Sequence, residues 1–288
     1  MKKVLTYLFL FGLLTAIGFS EPILTEDLTF ISAENSEIGL GISYGVDNST
    51  IKDLTNSAKY TDSLILLHTP IKYGISDYLL LSLDIPYRLW KKESFPVDNN
   101  FDDSESGLGQ IMVGSKLGLN ENFALLMRVQ TPTGNIGKSL SEGTNIEASL
   151  IMSSRIYEYA LSANLGYLYK SEYENMSNVK IDPANPIIIR AALEYFFEYP
   201  MKGLSMFGEI QNQIIGKTKV ENIKVNDTDG TTIDLLLGTQ YVKDAVKLKL
   251  GFEWAVGNEN LRAGGIYSHF YDSWDWRIIL DGSYKFGY

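Results

Sequence analysis

The sequence has no cysteine and only two histidines in 288 residues. The absence of cysteine excludes a disulfide scaffold and any metal site with thiolate ligands. After the N-terminus there is no long apolar run, so a helical membrane protein is excluded. The net charge is −10, which disfavours binding to anionic nucleic acid. The chain is nevertheless rich in aromatic residues, at 12%, which argues against disorder.

The N-terminus has the composition of an export signal. Lys2 and Lys3 precede an apolar run over 4–17, and Gly18 and Ser20 place small residues at positions −3 and −1 of a cleavage site. This order of basic, apolar and small residues is typical of a secretory signal peptide, with an uncleaved anchor helix as the alternative. We therefore expect cleavage after Ser20.

Period-two alternation dominates the rest of the chain. In the last run, Trp276, Ile278 and Leu280 share one face, opposite Arg277 and Asp281. Most runs have 10–15 residues, whereas soluble strands usually have about five or six and strands that cross a bilayer need about 9–11. The runs cover about 36–45, 64–76, 78–91, 107–119, 122–133, 144–156, 159–171, 186–199, 203–216, 231–242, 246–256 and 274–288.

The connections between runs alternate in length. Tight turns such as Ser76-Asp77 are separated by longer polar stretches, as in outer-membrane hairpins with short periplasmic turns and long extracellular loops. We therefore predict an all-β fold, a transmembrane antiparallel up-and-down barrel of about twelve strands in the bacterial outer membrane. The predicted long loops are 46–63, 92–106, 134–143, 172–185, 217–230 and 257–273, and the predicted divisions are a signal peptide over 1–20, an N-terminal periplasmic segment over 21–35 and the barrel over 36–288.

Two alternatives concern the strand count and the N-terminal segment. Fourteen strands would result if 24–32 and 263–270 also formed strands, and the N-terminal stretch could instead thread into the lumen as a short plug. A soluble β-sandwich is a third alternative, since it also has one apolar face.

Aromatic residues at the ends of the runs favour the barrel, because amphipathic rings suit the membrane–water boundary and a sheet in lipid must close. These residues are Tyr73, Tyr87, Trp90, Tyr167, Tyr169, Tyr195, Phe197, Tyr241, Trp254, Trp274 and Tyr288.

The last strand ends on aromatic residues. Tyr284, Phe286 and Tyr288 share one face, which resembles the C-terminal signal read by the barrel assembly machinery. We expect that machinery to be a partner during biogenesis and the folded chain to be a monomer surrounded by outer-membrane lipid, with no nucleic-acid partner.

Five motifs carry a resemblance to a known family. They are Thr69-Pro70 with Tyr73-Gly74-Ile75-Ser76-Asp77, then Leu81-Ser82-Leu83-Asp84-Ile85-Pro86-Tyr87, Ser106-Gly107-Leu108-Gly109-Gln110, Thr131-Pro132-Thr133-Gly134 and Ala163-Asn164-Leu165-Gly166-Tyr167. The sequence resembles the outer-membrane barrels of the MetA-pathway of phenol degradation family. The resemblance implies a transporter, with aromatic or mildly hydrophobic cargo. This sequence departs from the family pattern at Gln110, where the family tends to have Asp.

The alternation also assigns charged residues to the lumen. Acids and bases nearly balance, so they could form a paired network that keeps the interior rigid or a polar pathway that sets selectivity. Twelve strands should leave a narrow lumen suited to small solutes. The predicted lumen-lining residues are Lys72, Asp84, Arg88, Lys116, Arg128, Glu147, Arg155, Arg190, Glu194, Glu209, Asp234, Lys249, Glu253, Arg277 and Asp281.

Three inward prolines and one acidic loop are further features. Pro70, Pro86 and Pro132 predict bulges or strand ends, because proline donates no ladder bond; the alternative is a distortion that shapes a constriction or a lateral opening.

The loop 93–105 is rich in Asp and Glu, but its spacing fits no EF-hand. We expect a solvated loop and no metal.

Catalytic motifs are missing. His68 is assigned to the lumen and His269 to the last long loop. His68 has no obvious serine partner by spacing, and the motifs of the outer-membrane phospholipase, which uses a Ser–His pair, are not seen. We expect no enzyme activity, no catalytic residue and no cofactor. The function predicted is a porin-like channel for passive uptake or export of small solutes. A structural or anchoring barrel with a closed lumen is the alternative, and a lipid-modifying enzyme is a weaker one.

Overall fold

The computed structural model describes residues 25–26, 28, 30–52, 57–94, 106–134, 143–174, 178–198, 201–224, 229–256 and 275–287. The predicted signal peptide, most of the acidic loop, the segment 263–270, His269, Trp274 and Tyr288 lie outside these residues. Among the residues that are described, there is no helix long and apolar enough to cross a membrane.

Twelve long strands of the described chain form one closed sheet, in which each strand is antiparallel to both neighbours. The ring closes where the first and last strands pair, from Ser36↔Phe286 to Val46↔Trp276. The prediction of a twelve-stranded antiparallel barrel is confirmed. The strands are β1 (Ser36–Lys52), β2 (Ser57–Ser76), β3 (Leu79–Ser94), β4 (Met112–Asn120), β5 (Phe123–Gln130), β6 (Asn145–Ile156), β7 (Tyr159–Lys170), β8 (Ile187–Phe196), β9 (Leu204–Ile215), β10 (Gly230–Lys243), β11 (Val246–Val256) and β12 (Trp276–Phe286).

The outer face of the barrel is apolar. Leu40 is 60% exposed, Met127 54% and Leu165 52%. Their strand neighbours on the inner face include the buried Gly41 and Asn164 and the half-buried Arg128. A soluble protein rarely exposes so large an apolar surface, whereas lipid removes this surface from water. Apolar side chains thus lie outside and polar side chains inside, the reverse of a soluble protein. This arrangement excludes the soluble β-sandwich.

Aromatic rings collect at two levels of the wall. At the end with the short turns, the ring centroids of Tyr159 and Tyr195 are 5.1 Å apart, and those of Tyr195 and Phe197 are 5.0 Å apart. At the opposite end, the centroids of Tyr44 and Trp276 are 5.6 Å apart. Two such girdles are typical of the two membrane–water boundaries.

The hairpin of β1 and β2 is longer than the alternation predicts. The range 46–63 was expected to be a loop, but pairing continues to Lys52↔Ser57 and leaves only 53–56 between the strands. Beyond the bilayer both faces of a strand are wet, so no apolar alternation marks it while the backbone ladder continues. The run 107–119 also differs, because the ladder is interrupted over 109–111 between the short strand Gly107–Leu108 and β4.

The three inward prolines lie at interruptions of the ladder. Pro86 lies between the part of β3 that pairs with β4 and the part that pairs with Gly107–Leu108. Pro70 lies in a gap in the pairing of β1 with β2, and Pro132 follows the end of β5. Because proline cannot donate a ladder bond, these positions are where it is tolerated. A role in a constriction or a lateral opening stays a prediction.

Two of the predicted extracellular loops join in a small second sheet. Its four short strands are Tyr173–Glu174, Lys180–Asp182, Lys219–Val220 and Ile223–Lys224. Lys219 Nζ lies 2.6 Å from Asp182 Oδ2, and this hydrogen bond raises the pKa of Lys219 above its ordinary value. These connections are thus partly ordered strands rather than continuous loops.

Candidate functional site

The predicted lumen residues all lie on the inner face of the barrel. Twelve of the fifteen line one of three cavities in the described part of the chain, and Glu194, Glu209 and Asp234 are buried in the wall. Arg155 is the most peripheral. It is exposed at the periplasmic mouth, where its guanidinium lies 4.2 Å from the centroid of Phe196. Their use as a solute pathway stays a prediction.

One cavity lies towards the extracellular end of the lumen and has a volume of about 430 Å³. Its wall is basic although the whole chain is acidic, because strands that pair in the barrel place several arginines at one level. The charged lining residues of this cavity are Arg88, Arg128, Lys170, Arg190, Arg277, Asp84, Glu147 and Glu253.

A second cavity of about 190 Å³ lies below it, towards the periplasmic end. Arg128, Asp84 and Met112 line both cavities. These three side chains therefore stand at the junction, where one space passes into the other.

Charged side chains of successive strands are linked into a network at this junction. Arg128 lies 3.8 Å from Glu147, whose other oxygen accepts a hydrogen bond of 2.8 Å from Arg190. Arg190 also donates to Gln211 at 2.7 Å, and Gln211 donates to Asp234 at 3.3 Å. The network runs from β5 to β10. These contacts restrict the rotamers of the two arginines, so their guanidinium groups are held in the lumen.

His68 is a second link across the lumen wall. Its Nε2 lies 2.9 Å from Asp281, and its Nδ1 lies 3.6 Å from Asp84. The ring lies over Gly41, where a Cβ would overlap both His68 and Asp281. His68 is therefore a polar residue of the lumen, and it contacts two carboxylates rather than a serine.

The N-terminal segment enters the lumen from the periplasmic mouth. We call residues 25–26, 28 and 30–35 the tail. At the mouth, Glu34 N donates to Gly74 O at 2.8 Å. Farther in, Thr25 N donates to Glu209, and Glu26 N donates to Asn164 at 2.8 Å. The tail thus follows the plug alternative at the residues that the structure describes, and it forms no additional barrel strand.

Glu26 is the functional candidate that the sequence patterns missed. One carboxylate oxygen lies 3.4 Å from Lys116 Nζ, and the other contacts the Arg128 guanidinium. Alternation assigns directions only within strands, and the tail has none. The one available signal was the apolar character of residues such as Leu28 and Phe30, which is unusual for a segment expected to lie in the periplasm.

Together these features define the class of protein. A closed twelve-stranded sheet with an apolar outer face, two aromatic girdles and charged cavities inside is an outer-membrane β-barrel, as predicted. The chain belongs to the family described as "Putative MetA-pathway of phenol degradation", which matches residues 33–268. The resemblance seen in the five motifs is thereby confirmed.

Several solved structures are similar to this chain. The COG4313 outer membrane channel from Pseudomonas putida F1 is 14% identical, with 92% of this chain and 100% of that chain covered and a TM-score of 0.68. The NanC porin is 11% identical, with 86% and 100% covered and a TM-score of 0.49. The CymD monoaromatic hydrocarbon channel is 10% identical, with 89% of each chain covered and a TM-score of 0.44. No curated protein matches the sequence.

Proposed function

We propose that this protein is an outer-membrane channel for the passive passage of small solutes, with aromatic or mildly hydrophobic compounds as its cargo. The observation that carries the proposal is the pair of charged cavities that meet at Arg128 inside a closed barrel. Membership of the phenol-degradation family supports aromatic cargo.

The dimensions of the lumen favour small solutes. Cavities of about 430 and 190 Å³ are at or below the size of drug-sized ligand pockets, which are about 300–1,000 Å³. Long charged side chains project into them, and the tail fills part of the periplasmic half. A solute therefore has to be narrow, and the fixed charges at the junction set which ions and dipoles pass.

A closed structural barrel is the second candidate, and one observation favours it. The tail occupies the lumen and contacts both the β5 and β9 walls through Glu26 and Thr25. In this candidate the tail never leaves, and the charged network only stabilises the interior.

We further propose that the protein is a monomer, that the barrel assembly machinery inserts it and that it catalyses no reaction. The position of His68 between two carboxylates supports the last point, because a lipid hydrolase needs its histidine beside a nucleophile.

Single-channel conductance is the deciding measurement. The protein, purified from outer membranes after expression with its own N-terminus, would be inserted in planar bilayers. We expect discrete conductance steps, and liposome swelling should show passage of small uncharged aromatic solutes. If folded protein gave neither conductance steps nor liposome swelling, both with and without the tail, the structural barrel would be the remaining function.

A further inference from the structure

Two side chains of the tail contact the same lysine of the lumen wall. Glu26 lies 3.4 Å from Lys116 Nζ, and the centroid of the Phe30 ring lies 5.3 Å from the same atom. The second carboxylate oxygen of Glu26 contacts Arg128. A carboxylate and an aromatic ring thus share one cation, an arrangement that a single aryl carboxylate could reproduce.

We infer that Lys116, Arg128 and the apolar wall beside them form a binding site for small aromatic monocarboxylates, and that the tail occupies this site in the resting protein. The inference rests on the proposed channel function, because it names the solute class for the same lumen.

The cationic half of the site is built into the wall. Lys116 is 2% exposed, and a buried ammonium group is unfavourable unless an anion is close to it. When the tail leaves, Lys116 loses the Glu26 carboxylate. Another carboxylate can then take the position of the Glu26 carboxylate beside Lys116, and the Arg128 guanidinium can bind it through parallel N–H groups.

The apolar half of the site selects the body of the ligand. Leu28 and Phe30 of the tail pack against the buried cluster of Ala124, Leu126 and Ile151. This cluster lies on β5 and β6, beside Arg128 of β5. Removal of the tail exposes apolar wall next to the two cations, so an anion with a flat apolar body gains burial that chloride or phosphate cannot gain.

A neighbouring carboxylate limits the charge of the ligand. Glu147 lies 3.8 Å from Arg128 and is also bound to Arg190. A second negative charge on the ligand would face Glu147, and like charges in a narrow lumen repel. The site therefore favours monocarboxylates over dicarboxylates.

The site also lies on the route through the barrel. Glu26, Lys116 and Arg128 line the periplasmic cavity, and Arg128 lines the extracellular cavity as well. A ligand that enters from outside reaches Arg128 first and then competes with Glu26. Binding and release of the tail are thus coupled to the arrival of the solute.

Isothermal titration calorimetry with benzoate tests the site on the full protein in detergent, with benzamide as the uncharged probe of the same shape. A tethered competitor multiplies the apparent affinity by the fraction of time that the site is free. If the tail leaves the site free about a tenth of the time, Glu26→Gln should bind benzoate about tenfold more tightly than the parent. Phe30→Ala should change the affinity in the same direction. Benzamide should bind weakly to every variant.

Matched controls separate the site from general charge effects. Glu158→Gln makes the same change in net charge at a periplasmic turn and should leave benzoate affinity unaltered. Adding Arg128→Gln to Glu26→Gln should abolish the gain. Equal benzoate affinity in Glu26→Gln, Phe30→Ala and the parent, all shown to be folded by heat-modifiable gel mobility, would overturn the inference, and so would equally tight binding of benzamide.

The outcomes also distinguish this inference from the channel proposal. Tighter benzoate binding with no conductance in any variant would uphold the site and overturn passive transport. Conductance without benzoate binding to Glu26→Gln would uphold transport and overturn the site.

Discussion

Arg128 is the residue at which the charge of the lumen and the path of the tail meet. It lines both cavities, pairs with Glu147 and contacts Glu26. Of the two lumen cavities, Arg88 lines only the extracellular one. In a narrow lumen with little water, a fixed charge acts on a passing ion far more strongly than it would at an open surface.

We expect Arg88→Ala combined with Arg128→Ala to shift the ion selectivity of the channel towards cations, about a few-fold in permeability ratio, because two positive charges leave the lumen. Reversal potentials in asymmetric salt measure this change. Glu158→Gln, outside the lumen, is the control. Unchanged reversal potentials would show that the lumen arginines are structural partners only.

Gly41 is a residue whose small size the lumen requires. A Cβ at this position would overlap His68 and Asp281, which bridge β2 and β12. We expect Gly41→Val to destabilise the barrel by about 1–3 kcal/mol, the usual range for overpacking. Urea unfolding followed by tryptophan fluorescence would measure it. Gly208→Ala, where only the flexible end of Leu237 lies within 3.3 Å, should be much milder, and equal midpoints for both would contradict the argument.

Alternation identified the inward side chains well, and the physical reason is simple. A strand side chain has only two directions, so lipid outside and water inside decide each position by its polarity. Arg190 and Glu147 were assigned in this way, and the structure places both in the lumen. Glu26 was beyond this reasoning, because its partner Lys116 is 90 positions away and no regular backbone relates the two.

The tail is the element that occupies part of the lumen. Its inner end is held by hydrogen bonds to Asn164 and by the ion pairs of Glu26. Its outer end is tied independently, since Glu34 donates to Gly74 and Gly74 donates to Asn35. The inner end can therefore be removed without loss of the attachment at the mouth.

Deletion of residues 21–30 should raise the single-channel conductance, because it clears the periplasmic cavity and leaves Ile31 to Asn35 at their contacts. Conductance in planar bilayers compares this variant with the parent. Substitution of Ala33 by Ser at the outer end is the control and should change little. If the deletion variant has the parent conductance, the tail does not obstruct the lumen.

Strand existence was easier to predict than strand length. The apolar alternation of β1 fades after Val46, yet the strand continues to Lys52, because its pairing with β2 depends on the backbone and not on lipid. The small second sheet was missed for a related reason, because strands of two or three residues carry no periodicity. Its strands are Tyr173–Glu174, Lys180–Asp182, Lys219–Val220 and Ile223–Lys224. Its Ile181 is buried, at 1% exposed. An isolated apolar residue of this kind does not reveal its burial until the strand that pairs with it is known.

At the scale of the whole molecule, closure is what makes the fold possible in lipid. β1 and β12 pair over eleven positions, from Ser36↔Phe286 to Val46↔Trp276, so over this stretch neither terminal strand is a free edge of the sheet. The chain achieves this with no cysteine. Its stability therefore depends on the continuous ladder and on the lipid around it.

The C-terminal aromatic residues should matter for insertion rather than for the finished barrel. The rings of Tyr284 and Phe286 are 4.6 Å apart on the outer face of β12. We expect Phe286→Ser together with Tyr288→Ser to reduce the folded protein in the outer membrane several-fold, measured by heat-modifiable gel mobility of isolated membranes. Tyr159→Ser, in the aromatic cluster at the same level, is the control. Equal loss in both would mean that the girdle as a whole is needed.

The path of the tail has a consequence for the order of events during biogenesis. Thr25 contacts Glu209, which is 184 positions away, and contacts of such separation form late because the intervening chain has to be in place first. With the predicted cleavage after Ser20, the tail becomes a free end only when the leader is removed. Processing would then precede occupancy of the lumen, so that a newly inserted barrel passes through an interval in which it is fully open before its own N-terminus arrives.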